Sequence, residues 1–250
     1  MKLIKKILKV AGILILLLLL VSTIYIYTSG PTLPKQTDDI IETVLKNPLP
    51  EVVKGKTGFA QSQGLNIWYE SRSPKDSSKG AILLIMGISV DALGWTEKFI
   101  QAFVDAGYQV IRFDNRGTGM SDWVEKWDNA HPYSLADMAD DGVAVLNALG
   151  VQKAHIVGVS MGGMIGQELT INHPDRVHSL TSIMSSGYIE DPDLPKISSK
   201  VAIDLIASAL KYVIVGGEKN HINRSVAGRM ILSGHADYEL NIKEIARVFL

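Results

Sequence analysis

The 250-residue chain contains no cysteine. That absence excludes a disulfide framework, a thiol nucleophile, a zinc ribbon and an iron–sulfur cluster. Aromatic residues are scarce at 7%, and neither sign of charge dominates. Twenty-five Lys and Arg against 26 Asp and Glu leave a formal net charge of −1, which offers no basic footprint for nucleic acid. The pattern G-x-x-x-x-G-K-[ST] does not occur. Gly117-Thr118-Gly119 also fails as a dinucleotide loop, because Asp122 stands where the third glycine belongs. Nucleotide binding is not supported, and neither a cofactor nor a metal site is expected.

What the chain does hold is unevenly spread. Its first nine residues carry four lysines (Lys2, Lys5, Lys6, Lys9) and no acid, so the remainder is net acidic by five. Residues 10–27 lack any charged side chain, and residues 13–21 are unbroken Ile, Leu and Val. Such a run is about the minimum that spans a bilayer core as a helix. Tyr25 and Tyr27 fall where an interfacial aromatic belt belongs. Lysines before the run and Asp38 and Asp39 after it predict a cytoplasmic N-terminus and an extracytoplasmic body. A cleaved signal sequence, leaving a secreted body, is the alternative, although no Ala-x-Ala-like site follows the run.

Beyond the apolar head, Gly30-Pro31, Pro34, Pro48 and Pro50 break regular structure and mark a linker. The expected organisation is an anchor or signal sequence over residues 1–28, a linker over 29–56, a core over 57–187 and a helical lid over 188–250. Within the core, strands are expected at residues 65–70, 81–86, 109–113, 155–159 and 179–184. Helices are expected between them at 95–106, 135–149 and 161–172. The run Ala81-Ile82-Leu83-Leu84-Ile85-Met86 is continuously apolar, as befits a strand covered on both faces. Alternation of strand and helix predicts an α/β fold with a mostly parallel sheet wrapped by helices.

Gly158-Val159-Ser160-Met161-Gly162 fits G-x-S-x-G and falls between a predicted strand and a predicted helix. There a serine is held on a sharp turn with its hydroxyl above the sheet edge, and flanking glycines avoid crowding. Ser160 is the candidate nucleophile. The Met161 N–H, at a helix start, is one candidate oxyanion donor. The Ile88 N–H is the second, in the loop Met86-Gly87-Ile88-Ser89 that follows an earlier strand.

Three further blocks carry a family likeness: Met86-Gly87 followed by Leu93-Gly94-Trp95; Asp114-Asn115-Arg116-Gly117-Thr118-Gly119-Met120-Ser121; and Tyr133-Ser134-Leu135 with Asp137 and Asp141. With the serine motif they span residues 82–187 in order. This stretch resembles the α/β-hydrolase superfamily, and within it the esterase-like branch of the anthracycline methyl esterases. The resemblance implies a serine hydrolase acting on a carboxylic ester or related acyl bond of a small molecule. The apolar face Ile203, Ile206 and Leu210 of a later predicted helix favours a lipophilic one. Arg116 reads as a structural support for its loop rather than a catalytic group.

A serine nucleophile needs a histidine to take its proton and an acid to orient that histidine. In this fold both follow the serine in the chain. His173 reads as a helix cap, His178 as a strand-edge residue and His221 as a solvated loop residue. His235, in Ser233-Gly234-His235, resembles the family's terminal Gly-His and is the candidate base. Glu218 or Asn220 would then occupy the acid loop, but too few residues separate them from His235 to fit a helix and a strand between. Residues 199–215 read as one amphipathic helix, with Ile203, Ile206 and Leu210 on a face. The expectation is therefore a chain that stops inside its lid and turns over poorly. A non-catalytic, membrane-tethered binding protein of the same fold is the rival reading.

Overall fold

The computed structural model describes residues 2–46, 51–124, 132–187, 192–194, 196 and 198–232. The chain divides into two compact units, residues 51–194 and residues 1–50 with 195–250.

The first unit is built on a six-stranded sheet: β1 (Lys56–Ser62), β2 (Leu65–Arg72), β3 (Ala81–Ile85), β4 (Gln109–Phe113), β5 (Ala154–Val159) and β6 (Val177–Ile183). In space the order is β1-β2-β4-β3-β5-β6. β1 and β2 form an antiparallel hairpin that joins β4 antiparallel; β3 pairs with β4 and β5, and β5 with β6, all in parallel. Three helices connect the parallel strands: α3 (Glu97–Asp105), α4 (Leu135–Ala148) and α5 (Met161–Asn172). The expected strand–helix alternation is present, and β1 is a strand that the sequence pattern had not marked.

All five residues of β3 are buried, because both faces of that strand are covered. Leu83 and Ile85 enter a core with Ile111, Phe113, Leu146, Ile156, Ile165 and Leu169. The intervening Ile82 and Leu84 enter a second core with Trp95, Ile100 and Val110. The two-residue strand period sends alternate side chains to opposite faces. Each such buried side chain contributes roughly 1.5–3 kcal/mol. α4 begins at a reciprocal cap, in which the Ser134 hydroxyl accepts from the Asp137 N–H while the Asp137 carboxylate accepts from the Ser134 N–H at 2.7 Å.

The second unit is helical among its described residues. α1 (Lys2–Thr28) contains the segment Ile4–Thr28, long and apolar enough to cross a membrane, with none of it buried. At 1.5 Å per residue its 25 residues extend about 37 Å, against a hydrocarbon core of about 30 Å. α6 (Ser199–Val215) has the bounds read from the sequence, and α7 (Glu218–Leu232) follows it. A further helix, α2 (Thr37–Lys46), lies within the stretch read as linker. Ile41 and Val44 of α2 pack with Ile222 and Val226 of α7, and Lys219 bridges Glu42 at 2.9 Å and Asp38 at 3.4 Å. The prolines around α2 conceal it in the sequence, because its short apolar face finds a partner some 180 residues away.

One ion pair ties the hairpin to the parallel sheet. Arg112 on β4 donates from Nε to Glu70 on β2 at 2.6 Å, and the two side chains are 4% and 1% exposed. Arg112 also donates to the carbonyls of Val52 at 2.7 Å and Ala92 at 3.1 Å. The other Glu70 oxygen accepts the N–H groups of Lys54 at 2.8 Å and Gly55 at 2.6 Å. Removing one member of a buried pair strands the other charge. Glu70→Ala is therefore expected to lose about 3–5 kcal/mol in urea unfolding. The apolar double replacement Glu70→Leu with Arg112→Met is expected to lose much less.

Candidate active site

β5 runs out of the core at Val159, the chain turns through Ser160, and α5 begins at Met161. Ser160 has φ 54° and ψ −123° and stands exposed. A side-chain-bearing residue rarely adopts that backbone, and the strain costs of order 1–3 kcal/mol. Its hydroxyl is not spent on capping α5. Its N–H donates to the Ile183 carbonyl at 2.9 Å, which joins the turn to the end of β6. A β-carbon at Gly158 would collide with the Gly162 carbonyl, and one at Gly162 with the Ile85 carbonyl. Both motif glycines are thus required by close backbone approach.

The loop after β3 comes up against this turn. A β-carbon on Gly87 would lie 3.2 Å from Ser160 Cβ and 3.7 Å from Ser160 Oγ. The Met86–Ile88 loop and the Ser160–Met161 turn, picked separately from the sequence, are therefore neighbours. Beyond Gly87, Ile88 is 68% exposed and Ser89 has φ 59°.

Two polar anchors set that loop. Asn115 Nδ2 donates to the Met86 carbonyl at 3.0 Å. Asp114 accepts the Ala92 N–H at 2.7 Å with one oxygen and the Met120 N–H at 2.8 Å with the other. Arg116 grips Asp141 with two bonds of 2.7 Å and also donates to the Asp137 carbonyl at 3.0 Å. The supporting role read for Arg116 is what its contacts describe. Burial lifts the Asp114 carboxyl above its ordinary range, Asp91 adds to the rise, and the two N–H bonds oppose it.

A cavity of about 410 Å³ opens beside Ile88 and Met161, lined also by Asp91, Asn115, Trp123 and Tyr133. The sequence reading overlooked these four. Asp91 had a legible signal, since it sits two residues before the Leu93 N–H that its side chain accepts at 2.9 Å, an Asx-turn. Asn115 and Tyr133 lay within the family-likeness blocks without a site role of their own, and Trp123 carried no signal.

The histidines fall elsewhere. His155 precedes Ser160 by five strand residues, about 16 Å. His178 is as far along β6 from Ile183. His173 closes α5 as expected, about 18 Å along that helix from Met161, and its Nε2 lies 2.8 Å from Asp140. His178 is exposed, its ring 5.2 Å from that of His155. His221 departs from expectation: it lies within α7 rather than in a loop, its N–H donating to the Gly217 carbonyl at 3.0 Å. Burial, with Arg224 nearby, lowers its pKa. Glu218 and Asn220 likewise belong to α7, after a glycine turn that joins two helices, so they do not form an acid loop following a strand. His235 lies outside the described residues, as does much of the segment 188–250 read as a lid. Among the described residues no three His, Asp or Glu side chains gather as a metal site.

Residues 80–217 match the family model described as alpha/beta hydrolase fold. Rhodomycin D methylesterase DnrP of Streptomyces peucetius is 37% identical over 138 residues, covering 55% of this chain and 45% of that protein. RutD of Variovorax paradoxus, provisionally named a carbamate hydrolase, is 37% identical over 115 residues, covering 46% of this chain and 41% of that protein. The chain thus matches less than half the length of either curated relative. A solved structure of a Vigna radiata epoxide hydrolase mutant superposes with a TM-score of 0.50 at 19% identity, covering 65% of this chain and 52% of that one; the likeness is one of fold.

The strain at Ser160 has a measurable consequence. Ser160→Ala keeps a β-carbon in the unfavourable backbone region, whereas Ser160→Gly relieves it at a smaller cost in unfolded-chain entropy. In urea unfolding, Ser160→Gly is expected to be more stable than Ser160→Ala by about 1 kcal/mol.

Proposed function

We propose that this chain, which belongs to the alpha/beta hydrolase fold family, is a membrane-anchored serine hydrolase of small esters or related acyl compounds. The observation that carries the reading is the strained, exposed Ser160 between two obligatory glycines, with the Gly87 loop beside it. Ser160 Oγ attacks the acyl carbon while its proton passes to a histidine base. The carbonyl oxygen then takes the negative charge, and the Ile88 and Met161 amides donate to it. Collapse of the tetrahedral adduct expels the alcohol, and water repeats the sequence on the acyl-enzyme. His235, which lies outside the described residues, is the candidate for that base. That DnrP is named a methylesterase and RutD a carbamate hydrolase supports an acyl carbon as the point of attack.

A fluorophosphonate probe tests the chemistry on the full chain. Labelling is expected at Ser160, lost in Ser160→Ala and slowed at least a hundredfold in His235→Ala. A chain that melts cooperatively and takes no label overturns the hydrolase reading in favour of a binding protein. A rate unchanged in His235→Ala removes that residue from the mechanism.

The apolar α1, preceded by lysines and followed by acids, supports a retained anchor with its N-terminus inside. The protein is expected to stay in the membrane pellet through alkaline carbonate extraction and to keep its full mass. Loss of about 28 residues in the intact mass would instead identify a cleaved signal sequence.

A further inference from the structure

The cavity beside Ile88 and Met161 has an unbalanced electrostatic lining. Arg116 lines it and Arg112 acts on Asp91 from nearby, and each is already committed. Arg112 is held by Glu70 and Arg116 by Asp141, both in buried pairs. The carboxylates left over are Asp91 and Asp114. Both oxygens of Asp114 are spent on backbone N–H groups, and only Asp91 lines the cavity. The Leu93 N–H donates to one Asp91 oxygen. Burial lifts the Asp91 carboxyl above its ordinary range despite that bond and the attraction of Arg112. It is a desolvated acid lacking a counter-ion of its own.

A second group points the same way. Asn115 is 1% exposed and lines the cavity, and its Oδ1 accepts no hydrogen bond. Its orientation is settled by Nδ2, which donates to the Met86 carbonyl; a flipped amide would set oxygen against oxygen. A buried acceptor without a donor is costly, and a ligand that brings one relieves the cost. Trp123, 67% exposed, adds an aromatic face, which attracts cations, whereas the Tyr133 ring already carries the Arg116 guanidinium 5.4 Å from its centroid. The volume of about 410 Å³ lies within the range of small-molecule sites.

We infer that this cavity receives a protonated amine of the substrate, with Asp91 as its counter-ion, Asn115 Oδ1 as a second acceptor and Trp123 as an aromatic wall. The inference rests on the serine-hydrolase reading and narrows it to esters and related acyl compounds that carry a basic nitrogen near the scissile group. Asp91 and Asn115 are binding residues here and take no part in bond breaking.

Calorimetric titration of the full chain in neutral detergent tests this with three small probes: benzylammonium, benzyl alcohol and benzoate. Benzylammonium is expected to bind tightest and benzoate weakest. Asp91→Asn keeps the acceptor for the Leu93 N–H while removing the charge. It should weaken benzylammonium about tenfold and leave benzyl alcohol unchanged. Trp123→Ala alters an exposed side chain, so it serves if Asp91→Asn does not fold; it should weaken benzylammonium severalfold. Benzoate binding as well as benzylammonium overturns the inference, as does a benzylammonium affinity indifferent to both substitutions. Fluorophosphonate labelling of the same samples separates the two readings. Asp91-dependent amine binding without Ser160 labelling leaves the cavity's ligand assigned and removes hydrolysis. Labelling without amine preference removes the cavity assignment alone.

Discussion

The first turn of α5 passes so close to the ends of β3 and β5 that no β-carbon fits at Gly158 or Gly162. That contact is the constraint on which the rest of the site depends. With Gly162 pressed on the Ile85 carbonyl, the chain has only the single residue Ser160 in which to reverse from strand to helix, and it does so at φ 54°. The same closeness brings the Gly87 loop, which begins where β3 ends, against the serine. A looser turn would relax Ser160 and separate it from that loop together. Strain and proximity are two results of one backbone approach.

Loops that carry a site need fixing without a ladder of their own, and here buried carboxylates do it. Asp114 ties the segment after β3 to the segment after β4 through two backbone N–H groups. Arg116 and Asp141 pin the second of these to α4, and Glu70 and Arg112 pin the hairpin and the carbonyls of Val52 and Ala92 to the central sheet. Burying an ion pair gains little stability against an apolar replacement. What these pairs supply is direction, since each oxygen and each N–H accepts or donates along a narrow range of angles. Asp114 and Arg116 act where the chain leaves the sheet, and Glu70 with Arg112 acts across the β2–β4 ladder.

The core of the fold was legible because its signals are local. Five apolar residues in β3 and the strand–serine–helix sequence around Ser160 each speak for themselves within a few positions. Elements that depend on a distant partner were not. α2 shows an apolar face of only four residues, Ile40, Ile41, Val44 and Leu45, meaningful once Ile222 and Val226 of α7 lie on it. β1 alternates weakly, and its strand character comes from its register with β2. His221 sits beside two glycines, which read as a loop, yet they form a turn between helices and the helix resumes at once. At the candidate site, Ser160, Ile88 and Met161 were named from motif and position, and the Gly87 loop does lie against the Ser160 turn. Asp91 and Asn115 were not so named, because what distinguishes them is a missing partner, and a missing partner is a property of the folded neighbourhood.

The position of Ile88 shows how such a site tolerates an apparently poor residue. A large apolar side chain 68% exposed at a proposed catalytic loop gains nothing from burial. Its backbone, however, is bracketed. Met86 is held through its carbonyl by Asn115, and Ala92 through its N–H by Asp114. Gly87 is wedged against Ser160, and Ser89 takes up a left-handed turn. Between two anchors six residues apart, the direction of the Ile88 N–H is set by its neighbours rather than by its own side chain. Preorganised donors stabilise developing charge because they need not reorient during reaction. In the proposed chemistry the residue therefore serves through its amide, and Asp114 and Asn115, which never touch the acyl group's reacting atoms, hold that amide in place.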